Sequence, residues 1–452
     1  MRRFTGVLIL GLVAWGCGSS THGGGAFAPV APPLAPGSTA TPPSGSTTAP
    51  GSTTGGTSAG TTAAVSPNPD DDPASWNVDT TVDYDFTISP PTWIVPSPAL
   101  PAGVSPQASN NNVAICFHEG RLFFAWRTSA THFAGPTTRL YVMSSPDLGK
   151  TWAFENEVFM GDDLREPSLV SIGGRLFFRF FEAGTDPVKF EPKSLWRSER
   201  LGQGSWTAPQ AWGQSGEVAW DVKVRGGQAY MTSYVGAHYG TGPSAIDVRF
   251  QTSANGVDWA PVGSSAVVYT GGVSESGFEL DETGALWAVT RDEDGDATGW
   301  GSHVVTTPPG ATGSWSFPPR CDPQCYESPK MFRHGKDLYL VARRDPVAPF
   351  DLGINAFGFD VAKWINLVSY SARPKRTSLY QVDRTQKKVV TLADLPSCGD
   401  TAYPAVCRLD THTFLVANYT SPLTHPDWAW IQGQVSPEGT QLYLATITFK
   451  KR

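Results

Sequence analysis

Charged residues and cysteines are both scarce in this sequence, and each scarcity excludes a class of protein. Only 17% of the 452 residues are charged, and the formal net charge is -7 without a basic stripe, which argues against a nucleic-acid partner. The six cysteines form no Cys-x-x-Cys pair, and no histidines stand at the spacing of metal ligands. We therefore expect no metal site and no other cofactor.

Apolar runs with the period of a helix are also missing from the long C-terminal part of the chain. Aromatic residues are abundant there, and they make up 12% of the whole sequence. Short alternating apolar segments bounded by turn residues are typical of β-strands. A chain of this length is long for one domain unless its architecture is repetitive. The composition therefore predicts an all-β fold built from repeats.

The N-terminus has the composition of an export signal. It starts with two arginines, continues with an apolar stretch too short to span a bilayer, and reaches Gly16-Cys17. The cysteine after Gly16 resembles the lipobox of bacterial lipoproteins, which implies that Cys17 is lipidated and becomes the mature N-terminus. An ordinary cleaved signal is the alternative. We expect residues 1–17 to direct export and to anchor the protein by its lipid in the cell envelope, at the outer membrane or the cell surface.

The next segment, residues 18–75, consists almost entirely of Gly, Ser, Thr, Ala and Pro. Such a segment has too few large apolar side chains to offset the entropy lost on ordering, so we predict a disordered linker. We expect residues 76–452 to form the folded domain, held away from the membrane by this linker. No later stretch approaches the roughly 18 apolar residues that a second span would need.

Five cysteines remain when Cys17 is set aside, and an odd number leaves at least one outside any intramolecular disulfide. Export permits disulfides. Cys321 and Cys325 could close a short loop. Alternatively, Cys116 and Cys407 occupy the same offset in the first and last repeats and could meet there.

One unit recurs six times. It opens with a polar residue, called its leading residue, and continues with a short apolar strand, a turn, and an aromatic strand with a polar end. One copy runs from Glu166-Pro-Ser-Leu-Val to Glu182, and another from Glu327-Ser-Pro-Lys-Met to Arg343. The leading residues are 54, 55, 54, 52 and 76 positions apart, with an extra segment near residues 346–367 in the last interval. This period predicts a six-bladed β-propeller of four-stranded antiparallel blades, in which residues 76–93 return as the outer strand of the last blade. The leading residues are Asn112, Glu166, Asp221, Glu275, Glu327 and Tyr403.

A second marker is the turn Ser145-Pro-Asp147-Leu-Gly149-Lys-Thr151-Trp152, with a shortened copy at residues 253–259. It resembles the Asp-box, a hairpin turn that recurs in sialidase-type propellers. The resemblance implies a sialidase-like fold. In such blades the Asp-box lies on the outer edge, so we assign it no catalytic role.

The first strand of each propeller blade lines the central channel, so the leading residues are expected to ring one mouth. The ends of the second strands would stand behind them. Several carboxylates and arginines on one axis are costly unless paired. They indicate either a self-neutralising network or a reactive cleft. The second-strand ends and flanking residues are Arg127, Glu182, Tyr234, Arg291, Arg343 with Arg344, Tyr419, Arg165 and Trp220.

The order of these groups is similar to the second half of a sialidase domain. The resemblance implies that Glu275 is the base for a Tyr403 nucleophile, and that Arg291 with Arg343 or Arg344 grips a substrate carboxylate. The first half departs from the family, because Asn112 stands near the place of its opening arginine and no aspartate replaces its general acid. His132 could stand in for that acid.

Two other interpretations remain open. A pair of carboxylates could perform glycoside hydrolysis as acid and as nucleophile or base, either Glu166 with Glu327 across the ring or Asp221 with its neighbour Glu275. Alternatively, the mouth could bind an extracellular glycan or a protein without catalysis. We take a glycoside hydrolase acting on an extracellular glycan as the leading hypothesis. Substrate contacts are expected from Arg291, Arg343, Arg344, Arg165, Arg127, Asn112 and Trp220.

Overall fold

The computed structural model describes residues 68–70 and 72–452. The predicted signal peptide, Cys17 and nearly all of the predicted linker lie outside the described residues. The described residues belong to one compact unit, Ala63–Arg452. Among them, no helix is both long and apolar enough to cross a membrane.

The fold is a six-bladed β-propeller of antiparallel blades, as the repeat predicts. The described chain opens with a 3-10 turn at Pro73–Trp76 and the strands β1 (Tyr84–Ile88) and β2 (Thr92–Val95). The first blade contains β3 (Ser109–His118), β4 (Arg121–Ser129), β5 (Arg139–Ser145) and β6 (Ala153–Val158). The second contains β7 (Asp163–Ile172), β8 (Arg175–Ala183), β9 (Pro192–Gly202), β10 (Ser205–Trp206) and β11 (Gln210–Trp212).

The third blade contains β12 (Val218–Arg225), β13 (Gln228–Val235), β14 (Ile246–Ser253), β15 (Ala260–Pro261) and β16 (Val267–Gly271). The fourth contains β17 (Val273–Leu280), β18 (Leu286–Asp296), β19 (Gly299–Gly301) and β20 (Val304–Thr306). The fifth contains β21 (Glu327–His334), β22 (Asp337–Arg344), β23 (Arg376–Asp383) and β24 (Lys388–Leu395). The extra segment of this blade carries helix α1 (Phe359–Ser371).

The sixth blade closes the ring with strands from both ends of the described chain. It contains β25 (Ala405–Arg408), β26 (Thr413–Thr420) and β27 (Gln441–Lys451), with helix α2 (Trp430–Val435) before β27. Strand β1 pairs antiparallel with β27 and is the outer strand, which confirms the prediction for residues 76–93. Thr440 joins this blade to the first, because its hydroxyl donates to the Asn110 carbonyl at 2.6 Å.

The Asp-box residues form the turn that their chemistry predicts. The Ser145 hydroxyl accepts the Gly149 amide at 2.7 Å, and Asp147 Oδ1 accepts the Thr151 amide at 2.8 Å. Gly149 has a φ of +91°, and a Cβ there would meet the Trp152 ring at 3.1 Å. Glycine is therefore required both by the turn and by the indole packed beneath it.

Five of the six inner strands shift register near their N-terminal ends. They are β3, β7, β12, β17 and β21. Asn112, Glu166 and Ser328 lie at such shifts with φ values of +49°, +51° and +53°. An extra residue in one strand bends it and re-aims the neighbouring side chains. These bulges therefore decide which polar groups face the channel mouth.

Cys321, Cys325, Cys398 and Cys407 are thiols, so neither suggested disulfide is formed. Cys325 is buried, and its sulfur lies 3.9 Å from Glu327 Oε1. Cys407 and Cys116 both line the central channel.

Candidate functional site

Arg291 stands at the centre of the charged groups that ring the channel mouth. Its Nη1 donates to Glu275 Oε1 at 2.6 Å, its Nε lies 3.4 Å from Glu327 Oε1, and its Nη2 pairs with Glu293. The second oxygen of Glu275 accepts the Ser328 amide at 2.7 Å. Arg291 is buried, so these carboxylates replace the water that its guanidinium has lost.

Arg343 is engaged as completely as Arg291. Its Nε donates to the Thr401 carbonyl at 2.6 Å, its Nη2 donates to the Ala402 carbonyl at 2.9 Å, and its Nη1 bonds to Glu327. The guanidinium also packs 4.4 Å from the Trp430 ring centre. Burial alone would raise the pKa of Glu327, but the two arginines hold it below its ordinary value.

Tyr403 meets a different carboxylate from the one that the sialidase resemblance implies. Among the carboxylates, Glu166 interacts most strongly with its hydroxyl, ahead of Glu275, which is bonded to Arg291. Burial and the charge of Glu275 raise the pKa of Glu166 to about 7, even though the interaction with Tyr403 opposes this shift. Burial, followed by the Glu166 charge, raises the pKa of Tyr403 well above its ordinary value. Near neutral pH the pair is therefore a neutral phenol beside a carboxyl that gains and loses its proton.

Lys330 lies at the channel mouth, although the repeat did not indicate it. Its Nζ lies 5.0 Å from the Trp220 ring centre and 5.4 Å from that of Tyr403, and it donates to the Trp220 carbonyl at 2.8 Å. Asp221 lies 3.6 Å from the same nitrogen and 2.8 Å from that of Lys223. The sequence did carry a signal for this position, because Lys330 is a charged residue on β21, the inner strand that begins at Glu327.

The first two blades present a second arginine pair, Arg127 and Arg165, which share Asp163. Arg127 is fully buried, with Nη2 2.6 Å from Asp163 Oδ1, and Arg165 bonds to the other oxygen. Arg165 also donates to the His132 carbonyl at 3.1 Å. His132 Nδ1 in turn lies 2.8 Å from Asp400 Oδ2, which gives this loop histidine a buried carboxylate partner.

Two predicted mouth residues face elsewhere. Arg344 bonds to Asp394 on the outer strand β24 at 2.6 Å, so only Arg343 of the two candidate arginines reaches Glu327. Glu182 accepts the Trp196 indole N–H at 2.8 Å within its own blade. Asn112 does reach the site, because its Nδ2 donates to Glu166 Oε2 at 3.1 Å.

The channel below these groups encloses about 110 Å³. Its lining includes Trp220, Asp221, Lys330 and Tyr403 near the mouth. Trp76 stands at the opposite end, where arginines from the ends of the inner strands surround its ring. The guanidinium centres lie 4.2 Å (Arg408), 4.8 Å (Arg225) and 5.0 Å (Arg333) from that ring.

Two groups among the described residues bring three ligand-type side chains together. One is His238, Glu293 and Asp294, beside Arg291, and the other is Asp292, His303 and Cys321. Neither group has spacing that a short sequence motif would reveal.

The fold is a six-bladed β-propeller, and it carries a charged mouth in which Tyr403 and Glu166 interact. Neither a known protein family nor a curated protein matches this sequence. A solved structure of a Dyadobacter fermentans protein of unknown function is similar to it, with TM-score 0.50 and 14% identity, covering 76% of this chain and 95% of that one.

Two sialidase structures are similar at lower TM-scores. Phage phi92 endosialidase has TM-score 0.49 and 9% identity, and the match covers 82% of this chain and 70% of that one. Trypanosoma rangeli sialidase in complex with sialic acid has TM-score 0.46 and 12% identity, and the match covers 75% of this chain but only 54% of the other. At such identities the similarity concerns the fold alone.

Proposed function

We propose that this protein is a glycoside hydrolase whose reactive pair is Tyr403 and Glu166. The observation that carries the proposal is the electrostatic interaction of the Tyr403 hydroxyl with Glu166, a carboxyl whose pKa lies at about 7. A general base works best when its pKa lies near the operating pH. Glu166 is partly exposed at the mouth, and Tyr403 is buried beside it.

The chemistry follows from the protonation states of the two groups. Ionised Glu166 takes the phenolic proton as the Tyr403 oxygen attacks the anomeric carbon, and it passes this proton to the leaving oxygen, which departs as an alcohol. Water then attacks the same carbon of the glycosyl–tyrosine intermediate and gives a proton to Glu166, which returns it to the departing Tyr403 oxygen and so restores the phenol. Two displacements at one carbon give net retention of configuration.

The arginines favour a substrate without a carboxylate at the anomeric centre. Nη1 and Nη2 of Arg291 and all three nitrogens of Arg343 already contact protein oxygens, and Arg291 Nε lies 3.4 Å from Glu327 Oε1 without a hydrogen bond. Releasing one of these carboxylates would leave buried charge unpaired. An anion clamp of the sialidase kind therefore receives no support from these side chains. A neutral glycan is the substrate class that this geometry favours.

Non-catalytic glycan binding is a second candidate, and the paired charges favour it. Glu275, Glu327 and Asp221 are each held by a cation, which is what a structural network at the ring centre requires. The partly exposed aromatic groups Tyr239 and Trp430 could still stack on a sugar. In that function Tyr403 and Glu166 contribute only to packing.

The proposal includes the expected location. An exported domain fixed by a lipid on Cys17 would meet extracellular glycans, and its other partner would be the membrane that holds the lipid. The basis is the sequence of residues 1–17 and 18–75. Globomycin sensitivity of processing and labelling with a clickable palmitate would test it, with Cys17→Ser as the control.

Hydrolysis of a panel of chromogenic glycosides by the purified protein tests the enzymatic proposal. The panel includes neutral sugars, uronides and sialosides. We expect turnover of a neutral glycoside with net retention, and a loss of about 10²–10⁴-fold in Glu166→Gln. Tyr403→Phe should be similarly impaired, whereas Tyr443→Phe, which alters another buried tyrosine of the same blade, should retain activity.

The outcomes separate the two functions. Equal activity of Tyr403→Phe and wild type would refute the tyrosine mechanism. An absence of turnover across the panel, together with binding on a glycan array, would establish the non-catalytic alternative. Sialoside turnover that requires Arg291 would show that the arginines do act as a clamp.

A further inference from the structure

Asp292, His303 and Cys321 form a compact group in the fourth blade, separate from the Tyr403–Glu166 pair. Asp292 lies on β18, His303 directly before β20, and Cys321 in the segment that leads to β21. The Cys321 sulfur lies 3.3 Å from His303 Nε2 and 3.5 Å from Asp292 Oδ2.

These separations are those of ligands on a tetrahedral zinc ion. With Zn–S of about 2.3 Å and Zn–N or Zn–O of about 2.0–2.1 Å, tetrahedral angles place sulfur about 3.5 Å from the nitrogen or oxygen. Thiolate, imidazole and carboxylate are the ligands that zinc prefers. Three protein ligands also leave a fourth position, as in zinc sites that retain a water.

The charge balance of the group also favours a cation. Asp292 is fully buried, and among the described residues no lysine or arginine forms an ion pair with it.

The second ligand-type group differs from the first in its charge balance. It consists of His238, Glu293 and Asp294. There the carboxylates already have cations, because Arg291 pairs with Glu293 and Lys363 Nζ lies 3.5 Å from Asp294 Oδ1. A divalent ion would add charge to a site that is already balanced.

Surrounding residues orient the three ligand atoms. His303 Nδ1 lies 3.2 Å from Thr290 Oγ1, a partner that keeps the ring turned so that Nε2 faces the group. The other oxygen of Asp292 accepts the Gly295 amide at 2.9 Å. The Thr298 hydroxyl lies 2.9 Å from His303 Nε2 and 3.3 Å from the Cys321 sulfur, on the remaining side.

We propose that Asp292, His303 and Cys321 bind one zinc ion, whose fourth ligand is a water hydrogen-bonded to Thr298. Cys321 is partly exposed, which gives the ion a route to the site. Binding replaces the thiol proton of Cys321 and releases it to solvent. The ion ties the segment before β21 to β18, and therefore stabilises the fourth blade at the side of the channel mouth.

Metal analysis of the purified full chain tests this inference. After chelator treatment and dialysis against zinc, we expect about one zinc per chain by mass spectrometry, and a rise in melting temperature on zinc addition. Cobalt(II) should give a thiolate-to-metal charge-transfer band. Cys321→Ser should lose both the band and stoichiometric zinc, and Asp292→Asn should bind zinc at least tenfold more weakly.

Two matched variants guard against indirect effects. Cys325→Ser removes a thiol four residues away, and Asp294→Asn changes the balanced group, so both should keep zinc binding and the cobalt band. Should Asp292→Asn fail to fold, Cys321→Ser with the cobalt spectrum still decides the question. Zinc-free wild-type protein after dialysis, or equal zinc content in Cys321→Ser and wild type, would overturn the proposal.

Discussion

Arg291 bonds to Glu275 and lies within 3.4 Å of Glu327, so one guanidinium joins the inner strands of two adjacent blades. Removing one partner of such a buried group leaves the others uncompensated. We expect Arg291→Met to lower the free energy of unfolding by about 3–5 kcal/mol, measured by urea denaturation.

Arg344→Met is the matched control for that measurement, because Arg344 pairs with Asp394 in a partly exposed position. It should change the free energy of unfolding by no more than about 1 kcal/mol. Equal effects of the two substitutions would contradict a structural role of the Arg291 network.

The raised pKa of Glu166 predicts a specific pH dependence of stability. A folded-state pKa of about 7, above the ordinary 4.5, means that the folded protein binds more protons between these values. The free energy of unfolding should therefore fall as pH rises from about 4.5 through about 7. Glu166→Gln should lack this component, so its stability relative to wild type should increase over the same interval.

The pH dependence of activity is a separate measurement of the ionisation of Glu166. If ionised Glu166 is the base for Tyr403, kcat/KM should rise with pH through about 7 in the wild-type protein. A pH profile of the same shape in Glu166→Gln would show that another group acts as the base.

Trp76 closes the lower end of the channel against three arginines, and its indole N–H donates to the Asp70 carbonyl at 2.9 Å. Trp76→Ala should lower the free energy of unfolding by about 1–3 kcal/mol, since it removes aromatic packing together with cation–π contacts. Trp364 lies on helix α1 and is 40% exposed, so Trp364→Ala should have little effect. Thermal unfolding of both variants checks this, and identical melting temperatures would refute a sealing role for Trp76.

Ser328 combines a φ of +53° with an amide that donates to Glu275. Ser328→Gly keeps the amide and relieves the backbone, so we expect stability to stay the same or rise by up to about 1 kcal/mol. Ser328→Pro removes the donor and cannot adopt this φ, and should fail to fold or unfold at a much lower temperature. Circular dichroism melts distinguish these outcomes, and a stable Ser328→Pro would contradict the bulge geometry.

The sequence by itself determined the number of blades, the position of each inner strand and the Asp-box turn. These features depend on short-range causes. Alternating apolar residues and Gly149 in its turn act within one repeat, and the regular spacing of the leading residues only counts the repeats. Ring closure by residues 76–93 was also predicted, from their β-forming composition, and the strand that closes the ring is Tyr84–Ile88.

Only the tertiary structure decided the partners at the channel mouth. Tyr403 interacts more strongly with Glu166 than with Glu275, and Arg344 bonds to Asp394 while Arg343 bonds to Glu327. The register shifts of the inner strands set where such side chains point. The group of Asp292, His303 and Cys321 could not be predicted from the sequence, for a related reason. Its members are 11 and 18 residues apart, and they come together only through the packing of irregular segments around β18.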